Sequence, residues 1–208
     1  AVKQVLAEFA EQRENDRLGL IVFGDSPYLQ APFTGDHATW ISLLNETRIG
    51  MAGQSTMFGD AIGLAIKLFE SSESESRVLI VLTDGNDTGS KVPPVEAAKV
   101  AADKGLTIYA IAIGDPATIG EEALDIQTLQ EIAQITDGGF YQALDRAQLE
   151  NAYRDIAALE PELYETLSYR PRYSVHHYPV MVIASGYLIF FVLMTWLAWR
   201  RRRGERRV

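Results

Sequence analysis

Cysteine is absent from the 208 residues, which excludes disulfides and thiol catalysis but does not fix the redox compartment. A phosphate-binding loop is also missing. Gly50-Met-Ala-Gly53 has no Lys-Ser or Lys-Thr behind it, and no Gly-x-Gly-x-x-Gly follows a strand. With three histidines in the chain, no Ser-His-Asp or paired-carboxylate order stands out, so an enzyme of nucleotide or phosphate chemistry is the weakest of the functional readings. Basic residues are scarce except at the end. Arg200 to Val208 carry +5 of charge and the rest of the chain −14, an acidic body that argues against a nucleic-acid surface. No Met, signal peptide or capping residue precedes Ala1-Val-Lys-Gln-Val-Leu-Ala-Glu-Phe-Ala10, which reads as mid-helix. The expectation is a fragment, or a gene product whose beginning lies further upstream.

What is present centres on Arg77-Val-Leu-Ile-Val-Leu-Thr-Asp-Gly85. Val78 to Leu82 is an unbroken apolar run with three β-branched members, bounded by charge and by turn residues. That pattern suits a central strand covered on both faces. It delivers Asp84 to the carboxyl edge of the sheet, where open α/β sheets bind ligands. Upstream, Val2, Val5, Leu6 and Phe9 lie at helical spacing to about Glu14. Strands are expected at Leu18–Phe23 and Tyr28–Phe33, where Pro32 confines the second to an edge or an end. A short helix follows at 37–44, then a glycine-rich loop from Ile49 into a helix ending near Glu70. Helices over 95–104, 125–135 and 146–159 alternate with strands at 106–113 and 140–141. The expectation is an α/β, Rossmann-like, doubly wound and mostly parallel sheet over residues 1–160.

Residues 161–178 hold two Pro, Tyr and His176-His177 without a helix period and read as an extended juxtamembrane connector. Residues 179–199 carry no charge. At about 1.5 Å per residue they span roughly 31 Å, close to the ~30 Å hydrocarbon core of a bilayer. Trp196 and Trp199 suit an interfacial belt, and the Arg run at 200–208 follows at once. A C-terminal transmembrane helix, a basic cytoplasmic tail and an extracytoplasmic α/β domain are therefore expected.

Two loops at carboxyl edges of strands offer hard oxygens, Ser55-Thr56 and Thr83-Asp84, a donor set that suits Mg²⁺ or Mn²⁺. Thr56 in Ser55-Thr-Met-Phe-Gly-Asp-Ala-Ile-Gly63, and Leu82-Thr-Asp-Gly85, resemble the von Willebrand factor type A domain. Gly24-Asp25, Gln30-Ala-Pro-Phe-Thr34 and Tyr169-Arg-Pro-Arg172 ahead of an anchor are similar to its bacterial Bat aerotolerance branch. The resemblance implies a metal-ion-dependent adhesion site on three loops, with Thr56 the second-loop ligand and Asp84 the third-loop carboxylate, often acting through water. It also implies sister membrane proteins of the same type, and a MoxR-type AAA+ ATPase, as partners, and the bacterial cytoplasmic membrane as location.

The first-loop motif, Asp-x-Ser-x-Ser, occurs nowhere in residues 1–208. In the family it ends the central strand of a 3-2-1-4-5-6 sheet, immediately before the helix with which this chain opens. The expectation is that the chain as given lacks that strand and binds divalent metal weakly or not at all, the full-length protein holding the ion. Asp60 reads as a helix-start carboxylate, Ser55, Asn86 and Asp87 as turn residues, and His37 as a helix-start residue. His176 and His177 point to opposite faces if extended. The leading function is a membrane-anchored protein-binding module rather than an enzyme, with a metal-free interaction scaffold as the alternative.

Overall fold

A computed structural model of the chain describes residues 2–72, 76–114, 125–160, 183 and 185–196. It divides into two units, Ala1–Glu165 and Thr166–Val208. In the first, the elements run α1 (Val2–Gln12), β1 (Leu18–Val22), β2 (Tyr28–Thr34), α2 (His37–Glu46), α3 (Phe58–Glu70), β3 (Val78–Thr83), α4 (Pro94–Asp103), β4 (Thr107–Ile113), α5 (Ile126–Ile135), β5 (Phe140–Ala143) and α6 (Arg146–Leu159). Each element expected within residues 1–160 is present, with ends moved by at most two residues.

The sheet is in two pieces. β3, β4 and β5 pair in parallel, with Val81 opposite Ala110 and Ile111 opposite Tyr141. β1 and β2 pair antiparallel with two register irregularities. β2 therefore carries Pro32 on an edge, where the missing N–H removes no ladder bond. No described strand joins β1 to β3. The same helices cover both pieces. Leu6 of α1 packs against the same buried cluster as Ile80 and Leu82, and against a second cluster together with Leu18 and Leu20. On the other face Phe58, Ile62, Ile66 and Phe69 of α3 share a core with Val81, Ile108 and Ala110, against which Phe33 of β2 packs.

Alternation explains the layers. Val78, Ile80 and Leu82 face α1 and α6, whereas Leu79 and Val81 face α3, α4 and α5. β4, flanked by strands on both sides and helices on both faces, is buried from Ile108 through Ala112. In the second unit residues 185–196 are helical with exposed apolar side chains. Among the described residues no helix is long and apolar enough to cross a membrane. Most of the flanks of the 179–199 stretch, all of 161–178 and 200–208, and with them His176 and His177, lie outside the described residues.

Candidate metal and partner site at the carboxyl edge

The site forms where three loops meet at the carboxyl ends of β1 and β3. Thr83, buried at the end of β3, fixes the turn that follows. Its hydroxyl accepts the Gly85 N–H at 3.2 Å and donates to the Gly85 carbonyl at 3.0 Å. Asp84 is left exposed at the head of that turn. The glycine after it lets the two loops come close. A Cβ on Gly85 would lie 3.1 Å from the Thr56 hydroxyl oxygen, closer than most side chains pack, so Thr56 would have to give by a few tenths of an ångström. Thr56 and the Asp84-Gly85 turn, far apart in sequence, are thus neighbours.

Reciprocal bonds lock the two loops. The Thr56 N–H donates to the Thr88 hydroxyl at 2.9 Å and the Thr88 N–H to the Thr56 carbonyl at 2.9 Å. Asp87 accepts from Gly59 N–H at 3.3 Å, from Gly89 N–H at 3.2 Å and from Ser90 N–H at 2.9 Å. Burial by itself would raise the Asp87 carboxyl, but the Ser90 hydroxyl and these N–H groups together hold it below the usual carboxylate value. Asp60, in the first turn of α3, accepts the Val92 N–H at 3.2 Å, so it ties loop to helix as well as facing the helix N-terminus. Asn86 accepts the Asp125 N–H, reaching the start of α5. His37 opens α2 behind its N-cap Asp36 and pairs with the Asp16 carbonyl, remote from these loops.

Thr56 and Asp84 offer one hydroxyl and one carboxylate on adjoining loops, a hard-oxygen pair that fits two positions of a Mg²⁺ or Mn²⁺ shell. Among the described residues no three His, Asp or Glu side chains are grouped to hold an ion. Asp87, Ser90 and Asp25 give the loops their shape. The sequence alone marks Asp87 as a turn residue, places Asp25 only within the Gly24-Asp25 resemblance and does not single out Ser90; the cluster of acidic and hydroxyl residues between 84 and 90 fixes no partner.

Comparison with family models matches residues 1–155 to the von Willebrand factor type A domain. The chain belongs to this family. A curated relative, an uncharacterised protein of Borreliella burgdorferi, is 27% identical over 173 residues, covering 76% of this chain and 51% of that protein. The chain thus spans about half the length of the curated relatives it matches. Among solved structures it is similar to the conserved hypothetical protein BatB of Bacteroides thetaiotaomicron (28% identity, TM-score 0.64, 76% of this chain and 86% of that one). An aerotolerance-related membrane protein of Bacteroides fragilis shares the fold at 24% identity and TM-score 0.65, over 76% and 87% of the two chains.

Proposed function

We propose that this von Willebrand A domain is the extracytoplasmic part of a membrane-anchored protein-binding module, without enzymatic activity of its own, in a Bat-type assembly. Thr56 and Asp84 would hold a Mg²⁺ or Mn²⁺ ion together with ligands from the first loop of the full-length protein. The observation that carries this reading is the contact between Thr56 and the Asp84-Gly85 turn at the carboxyl edge. When bound, the ion supplies an electrophilic position that an acidic side chain of a partner can complete. The Thr56–Thr88 bonds and the Thr83–Gly85 turn fix the backbone that carries the hydroxyl and the carboxylate. Sister von Willebrand A membrane proteins are the partners that fit, with a MoxR-type ATPase meeting the assembly from the cytoplasm.

Anchoring follows from the uncharged 179–199 stretch and the Arg-rich end. The test is Mn²⁺ titration of the full-length protein in detergent, followed by capture of its membrane partners with and without EDTA. T56A and D84A should each weaken Mn²⁺ binding by about tenfold or more, since one removes a ligand oxygen and the other a carboxylate that holds the ion directly or through water, and EDTA should release the partners. Partner capture that survives both EDTA and D84A would establish a metal-free scaffold instead.

A further inference from the structure

The dipeptide Gly24-Asp25 makes four hydrogen bonds to one loop. Asp25 N–H donates to the Ala52 carbonyl at 2.7 Å, and the Met57 N–H donates to the Gly24 carbonyl at 3.1 Å. Between these, one carboxylate oxygen of Asp25 accepts the N–H groups of Gln54 at 3.2 Å and Ser55 at 2.9 Å. An aspartate that merely shaped its own turn would bond a residue or two along; these partners lie 29 and 30 residues away. The Ser55 hydroxyl and N–H, with the Gln54 N–H, also hold the carboxyl below its usual value.

The fit is interlocked on both sides. A Cβ on Gly24 would come 2.5 Å from the Ala52 carbonyl oxygen, and one on Gly53 would sit 2.1 Å from the Asp25 carboxyl carbon. Gly53 also has φ +99°, a conformation other residues rarely adopt. Two glycines are therefore spent so that Asp25 can lie against residues 52–55, and the next residue is Thr56.

We propose that Asp25 is a positioning residue of the adhesion site, templating residues 52–57 so that the Thr56 hydroxyl is presented beside Gly85. The inference rests on the metal-site reading of Thr56. Its physical content is population. The segment from Thr47 to Met57 has no regular structure, and Gly50 and Gly53 give it many alternatives. Asp25 is exposed, so on its removal water can take over the two N–H groups and global stability changes little. What falls is the fraction of molecules with Thr56 in place, and apparent affinity falls with that fraction.

The experiment uses the full-length protein in detergent, with Mn²⁺ as the probe and amide exchange at Gln54 and Ser55 as a second readout. D25A should weaken Mn²⁺ binding about tenfold and speed exchange at both amides with the melting temperature unchanged. D25N, whose amide oxygen can accept the same two N–H groups, should stay within about threefold of wild type. If D25A does not accumulate folded, G53A tests the same contact from the loop side and should give the same losses. Wild-type Mn²⁺ affinity in D25A, with affinity lost in T56A, would overturn the positioning role and leave the site standing. If T56A also binds as wild type, the site reading fails, and exchange decides alone: loss of protection in D25A but not D25N upholds the templating, and unchanged protection overturns it.

Discussion

Thr136, buried beyond the end of α5, shows how one hydroxyl can stand in for a strand. β5 begins opposite Ala110, so the Ile108 N–H on the same side of β4 has no ladder partner. The Thr136 hydroxyl accepts it at 3.0 Å and donates to the Ile132 carbonyl at 3.0 Å. Gly138 makes room for this crossing, because a Cβ there would lie 2.0 Å from the Ile108 carbonyl oxygen. T136V keeps the shape but leaves the buried Ile108 N–H unpaired, at a cost of about 1–3 kcal/mol. T136S, which retains the hydroxyl, should recover most of that. Urea unfolding with an unchanged m-value is the measurement. A T136V midpoint equal to that of wild type would mean the N–H has another partner. None of this was legible in Ile135-Thr-Asp-Gly-Gly139, where turn chemistry is evident but the partner, some thirty residues back, is not. Thr56 and Asp84 could be singled out because motif order marks them; Asp25 and Thr136 act through contacts that only folding creates.

Helices and strands were far more legible. The apolar stripe Val2, Val5, Leu6 and Phe9 and the runs of β3 and β4 are set by burial alone, and burial leaves a period in the sequence. Capping by another element leaves none. Met57, at the N-cap of α3, makes no side-chain cap bond; the Gly59 and Asp60 N–H groups are instead satisfied by Asp87 and by the Ser90 hydroxyl at 3.2 Å. D87A should therefore cost about 1 kcal/mol near pH 6, the usual worth of a helix cap. The sign of its pH dependence follows from the depressed carboxyl. The carboxylate's contribution is fully present above the unfolded value, 3.8, and is lost as pH falls through the lower folded value. The gap between wild type and D87A should be constant from pH 7 to about 5 and narrow below about pH 4. Urea midpoints taken across that range decide it. A gap that widens on acidification would place the stabilising form of Asp87 in its neutral state.

At the scale of the whole molecule, periodicity predicts which strands exist but not how they share an edge. Parallel β3, β4 and β5 and antiparallel β1 and β2 form two separate pieces, and α1 and α3 cover both. The candidate site lies at the carboxyl ends of β1 and β3, the strands of the two pieces that no described strand joins. Under the proposed anchoring, orientation in the membrane is set at the other end. Transfer of six Arg across a bilayer is far costlier than leaving them on the side of synthesis, and an acidic domain carries no such retention signal. The domain should therefore be cleaved by protease added to spheroplasts, while a tag placed after Val208 is protected until the membrane is opened. Protection of the domain in intact spheroplasts would reverse the proposed topology, and with it the side on which the proposed partners would meet Thr56 and Asp84.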